Sequence, residues 1–374
     1  MKTIRLYSIL ALAATMVSSC TDDSLNMLTV VNEDGSCTRE FSVRMDSAGL
    51  VGKESTKYSN IIEDAEWIKT WAIMGEEERH TYPMTANQYD SIQAILNDKG
   101  KCMNVRDTVV VYATRTFADA EEMDKASNEV FGETGITSEI ELDRSFKWFY
   151  TDYTFTETFR KIPDLELVPM TDYLTEDEIS YECTGFPNLV NGLDGNDAKK
   201  LLDDLENRSS KWTDANTFKD VFDVIYNNYD RIENAPVTKE EFRELEDSLW
   251  ESMQNRDFTF EAETCYSEFF GTDAYSSIFN DEELPFKTRN IMNLASISIP
   301  YRLVMPGSIT DSGNSFIEDN TAIFKVCGTY LIHSDYTISA TSRRANIWAY
   351  IITGFILFLA IGSFIIKRKR QKKS

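Results

Sequence analysis

Ile347 to Ile366 is a run of twenty residues without a charge, followed at once by Lys367, Arg368, Lys369, Arg370, Lys372 and Lys373. At about 1.5 Å per residue such a helix is about 30 Å long, the thickness of a bilayer's hydrocarbon core. Everything upstream is therefore expected to fold as a domain held against a membrane. Trp348 and Tyr350 at one end, and Lys367, Arg368, Lys369 and Arg370 at the other, fit membrane-anchor positions at the two interfaces. The basic flank places residues 367–374 in the cytoplasm and the large domain outside it. A cell-wall sorting tail would need an LPxTG-type motif, and Ser339 to Asn346 contains none. A lipid-exchange signal of the GPI kind would end in its apolar stretch, whereas this stretch is followed by charge.

The start of the chain carries a second membrane signal. Residues 1–19 have basic Lys2 and Arg5, an apolar run from Leu6 to Val17, and small Ser18 and Ser19 before Cys20. This reads as an export signal. Val17-Ser18-Ser19-Cys20 also fits a bacterial lipobox, in which the Cys20 sulfur receives diacylglycerol carrying palmitate-type chains and Cys20 becomes the new N-terminus by lipidation and cleavage. Ordinary signal cleavage after Ser19 is the alternative. Apolar helices do not reside in outer membranes, so the expected location is a bacterial inner membrane with the domain in the periplasm.

Asp and Glu total 62, and all lie between the signal and the apolar run, whereas eight of the 38 Lys and Arg lie outside that stretch. The exported part is thus more negative than the whole chain, whose formal charge is −24. Such a surface repels nucleic acid and anionic headgroups. Six cysteines, Cys20, Cys37, Cys102, Cys183, Cys265 and Cys327, form no CxxC and no zinc-ligand spacing. One or two disulfides are compatible with an oxidising compartment, but spacing alone assigns no pairing.

Along the chain, Met27 to Asp46 reads as a hairpin turning at Asn32-Glu33-Asp34-Gly35. Ile61, Ile62, Ala65, Ile68, Trp71 and Ala72 form a helical stripe, and Ala86 to Leu96 a short helix. Strands are expected at Thr108–Ala113, Ser138–Leu142 and Phe146–Phe159, with a helix opening at Phe117–Met123. The aromatics of Phe146–Phe159 suit a packed sheet better than a ligand platform. Helices follow at Asp197–Asn207, Thr217–Tyr229 and Lys239–Gln254, with capping boxes at Thr175–Glu178 and Thr238–Glu241. Asn191 to Asp197 superficially matches a calcium loop, yet with Gly195 as the loop glycine the twelfth position is Leu201; a turn and helix cap fits better. Late strands are expected at Ala295–Met305, Ser308–Asp319, Ala322–Val326 and Tyr336–Ala340, with Pro306-Gly307 at a type II turn.

These readings give an α+β fold: a curved antiparallel sheet with packed helices, an inserted acidic helical module and one C-terminal transmembrane helix. The divisions are a signal peptide at 1–19, a β-rich first part at 20–170, the module at 171–285, a β-rich second part completing the sheet at 286–345, the spanning helix at 346–366 and the basic tail at 367–374. The Glu33-Asp34-Gly35-Ser36 hairpin behind a lipobox, the Met305-Pro306-Gly307 turn, and the final strand, Ser342-Arg343-Arg344 and spanning helix together resemble the LppM-type envelope lipoproteins. The resemblance covers the two ends of the chain. It implies an extracytoplasmic α+β domain with a role in binding envelope lipid or lipoglycan, and it carries over no functional residue.

No GxSxG, HExxH, P-loop or GxGxxG is present. His80 and His333 are far apart and read as structural or exposed, and an acid pair such as Glu157 and Asp164 has no specificity among 62 acids. The expectation is a non-enzymatic, membrane-tethered envelope lipoprotein, with no catalytic residues, cofactor or metal, whose periplasmic domain binds a partner protein or scaffolds a complex. The alternatives are a lipid or lipoglycan binder with a cavity under the aromatic-rich sheet, and an unrecognised hydrolase.

Overall fold

The computed structural model describes residues 25–53, 64–98, 104–131, 135–254, 258–279, 281, 284 and 286–371. Residues 1–24, and with them Cys20, lie outside the described residues, as do Cys102, Ile61 and Ile62.

The first hairpin forms where alternation and turn chemistry place it. Strands β1 (Asn26–Val31) and β2 (Cys37–Val43) pair antiparallel from Val31 opposite Cys37 to Asn26 opposite Ser42. Gly35 takes φ +97° in the turn, a conformation that favours glycine. Short α1 (Ser47–Leu50) leads towards β3 (Ile68–Ile73) and β4 (His80–Thr81), then α2 (Ala86–Asp98), α3 (Val105–Thr108), β5 (Val109–Phe117) and α4 (Ala120–Phe131). The helical stripe expected through Ile68, Trp71 and Ala72 is instead β3. Its backbone pairs with β5 from Ile68 opposite Thr114 to Ile73 opposite Val109, and the pairing overrides a periodicity built from a few residues. Phe117 ends β5, so the helix beyond it opens at Ala120 rather than Phe117.

The next hairpin joins β6 (Ser138–Phe146) to β7 (Tyr150–Phe159). The stretch expected as one strand from Phe146 is divided: Phe146 closes β6, and Lys147, Trp148 and Phe149 form the turn. Along β7, Thr151, Tyr153, Phe155, Glu157 and Phe159 face inward while the intervening residues are half-buried.

Helix α5 (Glu176–Thr184) starts at the Thr175–Glu178 capping box and stops at Gly185, which is left-handed. The two helices expected at 197–207 and 217–229 are one, α6 (Gly195–Asn227), 33 residues and about 50 Å long. Asp194 caps it by accepting from Asn196 N and Asp197 N, so the stretch read as a turn and cap is one. The first half of α6 packs Leu205 and Trp212 into the core of the sheets. The second half, from Phe218, builds a separate core with α7 (Lys239–Glu244), α8 (Glu246–Met253), α9 (Phe258–Phe270) and α10 (Ser276–Phe279). Stacked Phe222 and Phe242, with Tyr266 and Tyr275, dominate that core. The single helix expected at 239–254 breaks at Leu245, which takes φ −87° and ψ 0°.

After α11 (Thr288–Ala295) come β8 (Ser298–Val304), β9 (Ser308–Asp311), β10 (Phe316–Glu318), β11 (Thr321–Cys327), α12 (Gly328–His333), β12 (Tyr336–Ala345) and α13 (Ile347–Gln371). Two sheets result, ordered β10-β11-β8-β1-β2-β5-β3-β4 and β6-β7-β12-β9. The fold is α+β, but in place of one antiparallel sheet there are two. The larger sheet is mixed, because β8 lies parallel to β1, from Tyr301 opposite Met27 to Val304 opposite Val30. A parallel pair needs a long crossover, and everything between residues 31 and 298 supplies it. The last helix contains one segment, Ile347–Arg368, long and apolar enough to cross a membrane, with a mean hydropathy of 2.4 and little of it buried.

Candidate functional site at the root of the apolar helix

Strand β12 passes into α13 through a single residue, Asn346, and that residue is fully engaged. Its N–H donates to Phe149 O (2.9 Å). Its side-chain amide donates to Lys147 O (2.8 Å) and Trp148 O (3.3 Å). Its side-chain oxygen accepts from Thr151 Oγ1 (3.1 Å), and its backbone carbonyl accepts from Ala349 N in the first helical turn. The β6–β7 turn is thereby fastened to the base of the helix.

Aromatic rings continue the grip. Trp148 Nε1 donates to Thr353 Oγ1 (2.9 Å) in the second helical turn, and its ring meets Trp348 edge-on at 5.2 Å. Phe146 lies parallel to Trp348 at 6.4 Å, and Phe149 packs on Tyr350 at 4.9 Å. All five rings stay well exposed, from 37% for Phe149 to 57% for Phe146. Large aromatic rings that are organised yet open to solvent at the end of an apolar helix are what a membrane–water interface accommodates. Trp348 and Tyr350, named from sequence, are joined here by Phe146, Trp148 and Phe149, which sequence reading assigned to a packed sheet. Their position in a turn, rather than within the strand, is what brings them to the helix. Lys367 and Arg368 lie on the last turns of α13, at its other end.

A ring of ion pairs stands behind the aromatics. Arg343 sits over the Tyr150 ring at 4.0 Å and bonds Asp152 (2.7 Å), and Arg344 pairs with Glu33 in the first hairpin turn. Tyr153 OH donates to Glu33 O (2.7 Å) in the same turn. Gly307, with φ +75° as the expected type II turn requires, packs directly on the Arg343 backbone, where any Cβ would overlap the carbonyl. The first hairpin, the Pro306-Gly307 turn and the Ser342-Arg343-Arg344 segment, far apart in sequence, therefore meet at one end of the domain.

Deeper between the sheets is a buried ion pair that sequence gave no reason to connect. Arg39 on β2 and Glu157 on β7 have fully buried side chains. Arg39 Nη1 and Nη2 donate to Glu157 Oε1 (3.0 Å) and Oε2 (2.6 Å). Its other N–H groups reach Thr29 Oγ1 and Ser127 Oγ, and Nη2 also approaches Tyr301 OH (3.0 Å). Glu157 accepts further from Ser138 Oγ and Tyr301 OH. Burial opposes charge on the guanidinium, but the adjacent Glu157 carboxylate overcomes it and holds Arg39 protonated above its ordinary range. Burial likewise keeps the Tyr301 phenol protonated. The cluster fixes β1, β2 and β8 of one sheet to β6 and β7 of the other, and a carboxylate so enclosed and paired has no route to a substrate.

Asp164, the other acid of the pair considered from sequence, sits in a turn at φ +62°. His80 lies against Trp71 at 4.3 Å, and His333 lies between Glu166 (2.9 Å) and Glu176 (3.0 Å). Surface grooves of about 310 and 560 Å³ run along Asn26, Arg44 and Tyr112 and along Glu263, Glu268 and Asp273. Neither lies under β7. No group of three or more metal-ligating side chains occurs among the described residues.

A scan against protein families, a search of curated proteins and a search of solved structures each return no match.

Proposed function

We propose that this chain is a non-enzymatic, membrane-tethered extracytoplasmic protein whose domain is held in a set attitude to the bilayer and binds a partner protein through its helical module. The observation carrying this reading is the joint at Asn346: one residue, with its amide, carbonyl and side chain all bonded, between a ten-residue strand and an apolar helix. A joint of that kind transmits orientation where a flexible linker would lose it. The base of the helical module lies at the opposite end of β12. Glu176 of α5 meets His333 just before Tyr336, and α13 begins beyond Ala345, so about 30 Å of strand separates module and membrane. Acylation at Cys20, a periplasmic domain on a bacterial inner membrane and a cytoplasmic basic tail belong to the same proposal. The filled inner face of β7 gives less support to the lipid-cavity alternative.

Two measurements test the reading. The full chain is reconstituted into vesicles with lipids brominated near the headgroup, and tryptophan fluorescence is compared with a Trp148→Phe/Trp348→Phe variant. Quenching of the two tryptophans is expected; equal quenching in both proteins would remove the set attitude. Photocrosslinking in cells from exposed Leu202 and Phe269 should capture a specific protein, and an absence of adducts above control from either position would end the partner-binding reading.

A further inference from the structure

Four cysteines lie among the described residues, and two of them meet. Cys37 is buried in the core of the sheets and Cys265 in the core of the helical module, so they belong to separate interiors. Cys183, on the last turn of α5, and Cys327, the last residue of β11, lie together because α5 packs across β11. Both thiols are free, and they lie near enough to act on one another electrostatically. They differ in surroundings: Cys183 is 4% exposed, whereas Cys327 is half-buried at the strand end.

We propose that Cys183 and Cys327 form a dithiol site that reacts with a disulfide-class oxidant and closes one reversible disulfide across the base of the helical insertion. Cys327 is the attacking sulfur. Its thiol is brought down by its interaction with Cys183, against burial, and further by the Lys325 ammonium and the neighbouring backbone N–H groups of Tyr330 and Thr329. Cys183 is pushed up by that same contact and by burial, which suits a resolving thiol that stays protonated until it is needed. In the first step Cys327 thiolate attacks one sulfur of the oxidant, forming a mixed disulfide and expelling one thiolate. In the second, Cys183 gives its proton to solvent and attacks the Cys327 sulfur, expelling the other half as a second thiolate. Two protein thiols are oxidised and one oxidant disulfide is reduced to two thiols, so the electrons balance.

The bond would tie residue 183 to residue 327, enclosing the entire helical core and α11. It would staple α5, by which the chain enters the module, to β11 of the larger sheet. The pairing chemistry stands apart from where the domain resides, and the test separates the two.

The full chain, purified in detergent with reducing agent and then freed of it, is incubated with oxidised glutathione. It is next alkylated, digested without reduction and mapped by mass spectrometry. A single cross-linked peptide pair containing Cys183 and Cys327, about 2 Da below the sum of its parts, is expected. In Cys183→Ala, glutathione should remain on Cys327; in Cys327→Ala, Cys183 should stay unmodified. Alkylation of both cysteines in the wild-type protein with no linked peptide would overturn the proposal, and glutathione on Cys183 but not Cys327 would overturn the assigned roles. Trapping thiols in intact cells before lysis then reports compartment: a pair that links in glutathione yet is reduced in cells upholds the site and counts against the extracytoplasmic placement.

Discussion

Replacing Glu157 by leucine should damage this protein more than losing one carboxylate usually does, and replacing Arg39 along with it should repair most of the damage. Glu157 accepts four hydrogen bonds, two of them from a guanidinium with no exposed surface. Without it, a buried positive charge faces only hydroxyls, a situation that costs about 3–5 kcal/mol. Arg39→Met leaves the carboxylate orphaned instead and should cost a similar amount. The pair Arg39→Met/Glu157→Leu, apolar on both sides, should return to within about 1–2 kcal/mol of the parent, which implies a coupling of about 3 kcal/mol or more. The helical module has a core of its own, so a global melt mixes its contribution with that of the sheets. Hydrogen–deuterium exchange over β2 and β7 reads the right region. At tenfold per 1.4 kcal/mol, each single variant should speed exchange there roughly a hundredfold to a few thousandfold, with α7–α9 little changed. Singles that each cost under about 1 kcal/mol, or a double variant equal to their sum, would refute the clamp between the sheets.

The joint should respond to smaller cuts. Trp148→Ala removes the bond to Thr353 and the contact with Trp348; spin labels at Glu141 and Leu359 should show a broadened distance distribution while the sheet keeps its exchange protection. Gly307→Ala forces a Cβ onto the Arg343 carbonyl at a positive φ, and a loss of about 1–3 kcal/mol, seen as faster exchange at the ends of β8 and β12, is expected. Hydrogen bonds from Arg208, chiefly, hold the Glu178 carboxyl down at about 2, from an ordinary 4.5. A depressed carboxyl stabilises the fold above its unfolded value and loses that contribution as pH falls through the folded one. Between about pH 5 and pH 2, the parent should therefore lose about 1 kcal/mol more urea resistance than Glu178→Gln.

Much of the local structure could be read from residues, because its causes are local. Asn32 to Gly35 set the first turn, Thr175 and Thr238 capped the helices where expected, and Gly307 supplied its turn. Long-range choices were hidden. Nothing near Trp71 announces that β5 will capture it as a strand, and the polar stretch around Arg208 to Lys211 breaks the stripe that would have joined two helices into α6. The parallel β1–β8 pair joins residues such as Thr29 and Tyr301, 272 positions apart. The candidate site was half visible. Trp348 and Tyr350 follow from the apolar run, but Phe146, Trp148 and Phe149 required knowing where the hairpin turned. Arg39 and Glu157 did leave a trace: each occupies an inward register position, Arg39 between Cys37 and Phe41, Glu157 between Phe155 and Phe159. A charge in such a place needs a partner, though one strand alone does not name it.

The order in which the strands are made gives the β1–β8 pairing a further meaning. The first hairpin emerges early but remains an open edge until β8 arrives, and β7 waits longer still, for β12. Only one residue after β12 the apolar helix begins. During synthesis the two sheets therefore cannot close before β8 and β12 have been made, whereas the aromatic core of α6 to α10 lacks nothing from those strands. The insertion can be shaped while its host is still waiting, and final assembly of the host coincides with the arrival of the long apolar helix. Any cell making this protein has to keep the early strands from pairing with one another or with neighbours for that interval, so exposed β1 and β7 are where a chaperone would be needed most.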